Sequence, residues 1–285
     1  MKFGASTWLW TSPFTHERIP LLEKIAAMGF DFVEIPVEDP DHIEASHIGP
    51  VLKDLGLEAV ICTAVTAERD LSAVDPEARK RGLRYFEACL HMAEGLGAEC
   101  VVGPLYAPVA KARLDTDALR RAEWERSATS LSQLCDTAAA TGVKLGLEPL
   151  NRFETDMVNT VEDALHLADE VGSEYLGISL DTFHMNIEET NFCRAVKRAG
   201  RKLFHVQVSD SHRGVPGDGN SDWAGLRDGL RTIGYDGKVA IESFSPDASS
   251  LAAAVCIWKR FAVTQDDFAR DGLAFLQRWW ATESP

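Results

Sequence analysis

The sequence predicts an α/β fold, a closed (β/α)8 barrel, on three observations. Short apolar runs rich in Val, Ile and Leu alternate with amphipathic stretches of helical length along the whole chain. A glycine precedes most of these runs, as expected where a helix ends in the left-handed conformation before the next strand. The alternation repeats eight times in 285 residues, which suits one barrel domain over residues 1–285.

The eight predicted strands follow one another at regular intervals. In order they are KFGAST (2–7), DFVEI (31–35), LEAVIC (57–62), AECVVG (98–103), VKLGLE (143–148), SEYLGISLD (173–181), RKLFHVQ (201–207) and YDGKVAIE (235–242). From the second strand on, the glycines before them are Gly29, Gly56, Gly97, Gly142, Gly172, Gly200 and Gly234. An open doubly wound sheet is the alternative fold, but the segment after the first strand, TWLWTSPF (7–14), is no glycine-rich phosphate loop.

Helical patterns separate the strands, clearest at 19–28, 77–96 and 125–141. After the eighth strand the chain shows two helical patterns where a barrel needs one, so we expect an extra C-terminal helix that covers the barrel or joins two subunits. The aromatic residues of this tail have helical spacing, which predicts packing rather than chemistry. They are Phe275, Trp279 and Trp280.

Composition excludes several classes of partner. The net charge of −15 argues against nucleic acid, which is bound by clustered Lys and Arg. There is no apolar run of about 20 residues and no signal-peptide pattern, so we expect no membrane contact and a cytoplasmic protein. The six cysteines form no CxxC pair, as in a reducing compartment. Cys62, near the end of the third strand, is predicted to pack in the core, with lining of the site as the alternative.

A set of oxygen ligands stands at the ends of strands five to eight. Its members are Glu148, Asp181, Gln207 and Glu242. Parallel barrels keep their active sites at this end of the strands. Carboxylate and amide oxygens suit Mg²⁺ or Mn²⁺, whereas zinc usually brings more His or Cys. A single carboxylate could simply cap a helix, but three converge here with no strong cation in the sequence to neutralise them. We therefore expect one divalent ion per subunit.

The predicted chemistry is proton transfer on the two faces of a bound carbon. Glu148 and Glu242, on strands five and eight, can approach a bound molecule from opposite sides and exchange a proton with it. Polar residues that could hold such a molecule lie in loops at the same mouth: Glu154, His184 and Arg213. The alternative for His184 is a solvent-facing loop position, and for Arg213 a surface ion pair of little energetic weight.

At these residues the sequence resembles the D-tagatose 3-epimerase family, the ketose 3-epimerases that include D-psicose (D-allulose) and L-ribulose enzymes, within the xylose isomerase-like TIM barrels. The resemblance rests on NRFE (151–154), LDTFHMNIEE (180–189), RGVPGDG (213–219) with Trp223, GYDGKVAIESF (234–244) and IWKRF (257–261). It implies Mn²⁺, or alternatively Co²⁺ or Mg²⁺, on the four oxygen ligands. It also implies that Glu154, His184 and Arg213 contact O1 and O2 of a ketose, while Glu148 and Glu242 invert C3 through an enediolate.

Two departures from the family accompany this resemblance. The third ligand is usually His, but here it is Gln207, with His205 two residues earlier. Both side chains should point into the barrel, and residue 207 is nearer the rim, so Gln207 is the predicted ligand. The N-terminal segments GASTWLWTSPF (4–14) and VVGPLYAPVAKAR (101–113) match only loosely, and in such barrels these loops contact the far end of the sugar. The sequence therefore leaves the particular ketose open.

Three other functions remain as alternatives. Glutamine at position 207 is similar to the hydroxypyruvate isomerases, so an aldose–ketose or hydroxypyruvate-type isomerase is the nearest. A hydrolase like the endonuclease IV barrels would need more histidines than the three near the mouth: His184, His205 and His212. A sugar-binding barrel without turnover would be expected to lack one of the opposed glutamates. We expect a small-molecule ketose as substrate and a homo-oligomer, either a dimer or a tetramer.

Overall fold

Eight parallel strands close a barrel in chain order, so the first strand pairs with both the second and the eighth. The strands of the computed structural model, which describes residues 1–111 and 115–282, are β1 (Lys2–Ser6), β2 (Phe32–Val37), β3 (Glu58–Thr63), β4 (Cys100–Gly103), β5 (Lys144–Leu147), β6 (Leu176–Asp181), β7 (Leu203–Val208) and β8 (Lys238–Ile241). The predicted (β/α)8 barrel is confirmed. The end of the segment 101–113 lies outside the described residues.

Ten α-helices lie in the described ranges. They are α1 (Pro20–Ala27), α2 (Ala45–Leu55), α3 (Pro76–Leu96), α4 (Asp117–Thr141), α5 (Val161–Val171), α6 (Thr182–Glu188), α7 (Phe192–Ala199), α8 (Trp223–Thr232), α9 (Ser249–Ala254) and α10 (Gln265–Ala281). Helix α4 begins eight residues before the predicted pattern at 125–141, because Thr116 caps it by accepting from the amide of Leu119. No helix of the described segments is both long and apolar enough to cross a membrane.

The two helical patterns of the C-terminal tail are both present. Helix α10 contacts β1, β8 and α8, so it completes the helical layer around the barrel. Its aromatic residues pack as predicted, with the Phe275 and Trp279 rings 4.8 and 5.6 Å from that of Trp223. The short helix α9 is therefore the additional one, and its residues Ser250, Leu251 and Ala254 face the mouth of the barrel.

The glycines before strands two to eight all adopt positive φ, between 53° and 91°. Four of them end helices α2, α3, α4 and α5 in the left-handed conformation, as predicted. Gly200 differs, because its ψ of −130° leads into a short 3₁₀ turn before β7. The repeated helix–glycine–strand pattern is thus the local cause of the barrel's regular alternation.

The buried apolar residues form two clusters, one between strands and helices and a smaller one that includes residues inside the barrel. The smaller cluster includes Phe32, Val60 and Cys62, together with Trp8 and Phe244 near the mouth. Cys62 is 2% exposed, in agreement with the packing interpretation, but its side chain also borders the cavity described below.

The strand ends position the predicted ligands within one residue of the expected places. Asp181 is the last residue of β6 and pairs in register with Gln207 of β7, while Glu148 and Glu242 follow the last residues of β5 and β8. One placement was wrong. His184 lies in the first turn of helix α6 rather than in a loop, because Asp181 caps that helix directly after the strand.

Candidate active site

A cavity of about 330 Å³ opens at the carboxyl ends of the strands. Five of the predicted catalytic, metal-binding and substrate-binding residues line it: Glu148, Glu154, His184, Arg213 and Glu242. Asp181 and Gln207 are almost fully buried, and each bonds to a residue of that lining. The opposite wall comes from the segments after β1 to β3 and from α9, and includes Trp8, Ser12, Glu38, Val65 and Leu251.

Arg213 joins two of the carboxylates. Its Nη1 donates to Asp181 Oδ2 at 2.5 Å and to Glu242 Oε2 at 2.9 Å, and the guanidinium is almost completely buried. The expectation that no cation neutralises the carboxylates was therefore wrong. No sequence pattern indicates this contact, because it depends on a tight loop that turns the Arg213 side chain back toward β6 and β8.

The loop holds Arg213 in an unusual conformation. Its φ is +63°, a region that residues with a side chain rarely adopt. The Arg213 amide donates to the Asp210 carbonyl at 2.9 Å, and the Ser243 hydroxyl donates to the Arg213 carbonyl at 2.8 Å. The guanidinium also lies over the Phe183 ring, 4.2 Å from its centroid. Burial alone would lower the pKa of Arg213, but Asp181 and Glu242 raise it above its ordinary value, so the side chain stays charged.

Glu148 and Glu242 are buried acids with strongly perturbed titration. Burial raises the pKa of Glu148 well above 4.5, and the nearby charges of Glu242 and Asp181 raise it further. Burial likewise raises the pKa of Glu242 well above 4.5, although Arg213 opposes the shift. Buried carboxyl groups with raised pKa values are typical of general acids and bases.

His184 is held in one orientation by the chain after β5. Its Nδ1 accepts from the backbone amide of Asn151 at 3.1 Å, and the Asn151 side chain also bonds to Glu154. Because Nδ1 accepts, the neutral ring carries its proton on Nε2, which lies 3.5 Å from Glu148 Oε1 and 3.7 Å from Asp181 Oδ2. Burial lowers the pKa of His184 and favours this neutral form.

Gln207 belongs to a buried hydrogen-bonded group that includes Glu34, a residue that was not predicted from the sequence. Its Nε2 donates to Glu242 Oε1 at 2.8 Å and to Glu34 Oε1 at 3.1 Å. His205 Nε2 lies 2.8 Å from the other oxygen of Glu34. Glu34 is a carboxylate in the middle of the apolar strand DFVEI, and this was the available signal, since a buried charge requires partners. Asn151, by contrast, carried no distinguishing signal beyond its place in NRFE.

The arrangement provides two candidate groups for a metal ion. Ligand atoms of Glu148, Asp181 and His184 lie within 4.8 Å of one another, and so do those of Glu34, Cys62 and Glu242. Burial raises the pKa of the Cys62 thiol well above 9.0, with Glu34 and Glu242 adding to the shift, so the thiol stays protonated and is a poor ligand.

A hard divalent cation fits the remaining donors. The carboxylate oxygens come from Glu148, Asp181 and Glu242, and such ions prefer oxygen. Within the described residues, the Oε1 atom of Gln207 is fully buried and has no hydrogen-bond partner. A buried carbonyl oxygen normally has one, so this atom has a free position for a cation.

Comparison with known proteins agrees with the resemblance. Residues 22–279 match the family of xylose isomerase-like TIM barrels. An L-ribulose 3-epimerase of Mesorhizobium japonicum is 31% identical, over 96% of this chain and 93% of that protein. A D-psicose 3-epimerase of Enterocloster bolteae is 32% identical, over 91% of this chain and 87% of that protein.

The fold comparison agrees as well. The crystal structure of a D-allulose 3-epimerase from Methylomonas sp. in complex with D-allulose superposes with a TM-score of 0.90 at 29% identity, covering 98% of this chain and 96% of that one. The family predicted from the motifs is thus confirmed. The chain belongs to the xylose isomerase-like TIM barrels and, within them, to the ketose 3-epimerases, a family of isomerases.

Proposed function

We propose that this protein is a metal-dependent ketose 3-epimerase that inverts C3 of a free ketose through an enediolate. The observation that carries the proposal is the pair Glu148 and Glu242. Both are buried acids with raised pKa, and both line one cavity from the ends of β5 and β8. Relatives named for epimerisation of L-ribulose and D-psicose support the reaction class.

Inversion requires a proton to leave one face of C3 and another to arrive on the opposite face. One glutamate accepts the first proton, and the other donates the second from its protonated form. Because the reaction is reversible, each glutamate serves as acid in one direction and as base in the other. Their raised pKa values favour the protonated form from which the second proton is donated.

The other polar residues of the cavity hold the sugar. The Nε2–H of His184 and the guanidinium of Arg213 are donors to the O1 and O2 oxygens, and Glu154 accepts from a hydroxyl. Since the Nε2 atom of His184 carries a proton, this residue acts as a hydrogen-bond donor rather than a metal ligand. Asn151 positions both His184 and Glu154.

We assign the ion to Glu148, Asp181, Gln207 and Glu242, with Mn²⁺ as the first choice and Mg²⁺ or Co²⁺ as alternatives. When bound, a divalent ion supplies a positive charge beside the substrate oxygens and stabilises the negative charge of the enediolate. Arg213, already bonded to Asp181 and Glu242, keeps both carboxylates oriented.

Isotope exchange in heavy water tests the reaction. With Mn²⁺ present, ketose recovered after incubation should carry deuterium at C3, because the proton removed from one face is not the one returned to the other. The substrates are D-psicose, D-fructose, D-tagatose and L-ribulose, and the label is located by NMR.

The position of the label separates this proposal from its alternative. An aldose–ketose isomerase, favoured only by the glutamine at position 207, would place deuterium at C1 or C2. If all four ketoses return without deuterium at C3, the epimerase proposal fails and hydroxypyruvate and aldoses become the substrates to assay.

Substitutions on β7 test the ligand assignment. Gln207→Ala should weaken Mn²⁺ affinity because it removes one of the four donors, whereas Gln207→His should retain binding through an imidazole. His205→Ala should leave the ion bound, because the His205 ring is engaged with Glu34. Affinity is measured by calorimetric titration of metal-free protein. Normal binding by Gln207→Ala together with loss of binding in His205→Ala would reverse the assignment.

A further inference from the structure

Glu34 is a fully buried carboxylate whose two oxygens contact two different side chains of β7. Oε2 lies 2.8 Å from His205 Nε2, and Oε1 accepts from Gln207 Nε2 at 3.1 Å. A carboxylate only accepts hydrogen bonds, so it selects the N–H end of each partner. It lies on β2, which β1 separates from the Glu242 strand β8, and it has no part in the reaction proposed above.

The two ends of the Gln207 amide differ in what they can do. Its NH₂ group donates, and only its Oε1 can bind a cation. The NH₂ group lies between two carboxylates, Glu34 at 3.1 Å and Glu242 at 2.8 Å. Rotation of the amide by 180° would place Oε1 against these carboxylate oxygens, which is repulsive. The observed orientation leaves Oε1 buried and without a partner in the described part of the chain.

His205 is the competing donor on β7, and the same carboxylate engages one of its two ring nitrogens, Nε2, while Nδ1 is buried and has no hydrogen-bond partner among the described residues. The His205 Nε2 atom is engaged with Glu34, and the ring packs against Phe32 with its centroid 6.0 Å away. The ring is fully buried in the barrel interior. To bind an ion through Nε2, it would have to break its contact with Glu34 and leave a buried charge with one partner fewer, which is costly.

We propose that Glu34 is a positioning residue that turns the Oε1 atom of Gln207 toward the ion and keeps His205 away from it. This inference rests on the ligand assignment proposed above. Residues that hydrogen-bond to metal ligands without touching the metal orient those ligands. Their replacement typically weakens metal affinity by about 10- to 100-fold.

The decisive substitution is Glu34→Gln, which keeps the shape of the side chain but adds an N–H donor. The new amide can accept from His205 and donate to Gln207, so Glu242 remains as the carboxylate that opposes rotation of the Gln207 amide, and the orientation with Oε1 directed away from the ion becomes more favourable than in the unaltered protein. We expect the Kd for Mn²⁺, measured by calorimetry on metal-free protein, to rise on the order of 10- to 100-fold. The exposed Glu162→Gln on α5 is the matched control and should leave the Kd unchanged.

A double-mutant cycle separates positioning from a simple loss of negative charge. If Glu34 acts through the amide, Glu34→Gln should have little further effect on Mn²⁺ affinity in a Gln207→Ala background. An equal fold-change in both backgrounds would overturn the proposal, because the effect would then be that of the charge alone. An unchanged Kd for Glu34→Gln alone would also overturn it. If the unaltered protein does not bind Mn²⁺, the ligand assignment is wrong, and the positioning role of Glu34 is wrong with it.

A measurement on the unaltered protein covers the case in which Glu34→Gln does not fold. Pulsed electron paramagnetic resonance of the Mn²⁺ form detects nitrogen bound directly to the ion. Because the ion is expected to meet an amide oxygen rather than His205, no such nitrogen signal should appear. A directly bound nitrogen that disappears in His205→Ala would show that Glu34 does not hold His205 away, and the proposal would be wrong.

Discussion

Replacing either Glu148 or Glu242 by Gln should lower kcat for C3 epimerisation by about 10²- to 10⁴-fold, the usual contribution of a general acid or base. Glutamine keeps the shape and one oxygen donor but cannot exchange a proton. Both variants should therefore still bind ketose and retain part of their Mn²⁺ affinity. The measurements are steady-state kinetics and calorimetric titration with sugar.

The contrary result is equally clear. A variant with normal kcat and a raised KM would show that the glutamate only holds the substrate. The exposed Glu162→Gln serves as the control for a Glu-to-Gln change and should have unaltered kinetics, because Glu162 is exposed and pairs with Arg198 at the surface.

Removal of the ion is expected to abolish activity and to lower thermal stability. A ligand present at 100 times its Kd stabilises the native state by about 2.7 kcal/mol. For a chain of 285 residues, that corresponds to roughly 5 °C in Tm. Chelation followed by dialysis should produce this loss, and added Mn²⁺ should reverse it. A chelated protein that contains no metal but keeps full activity would contradict the metal-dependent mechanism.

The stabilisation by the ion should also depend on pH. Glu148 and Glu242 have pKa values in the folded protein that are raised above the ordinary 4.5. The metal-free native state therefore holds more protons than the unfolded chain above that pH, and its free energy of unfolding falls as the pH rises through the raised pKa values. A bound cation favours the charged carboxylates, so the difference in Tm with and without Mn²⁺ should grow from pH 5 to pH 8. A constant or shrinking difference would show that these acids are not its ligands.

The positions of the ligands at the strand ends could be predicted from the sequence, because they depend on a local pattern, an apolar run that ends in a polar residue. Asp181 and Glu242 each stand at the end of an apolar run. Because each run forms a parallel strand of the barrel, both residues lie at the same end of the barrel. The glycine before each run gave the spacing, which is why the barrel itself was predictable.

The interactions among these residues could not be read in the same way. The contact of Arg213 with Asp181 and Glu242 depends on a loop conformation with positive φ at a residue other than glycine, which no periodicity reveals. Glu34 meets Gln207 across the closed barrel, from a strand 173 positions earlier in the chain. Such contacts arise only when the sheet closes into a barrel. They depend on how the strands are aligned in the folded protein, which the sequence pattern does not reveal.

The two walls of the cavity come largely from different parts of the chain, although α9 also contributes to the facing wall. Every residue assigned to proton transfer or to the first contacts of the ion follows residue 143, whereas Trp8, Ser12, Glu38 and Val65 on the facing wall come from the first 65 positions. The facing wall can therefore be altered by substitution without disturbing the reacting groups. Under the proposed function, substitutions in these N-terminal segments should change which ketose is accepted, while the carboxyl ends of β5 to β8 keep the groups assigned to proton transfer.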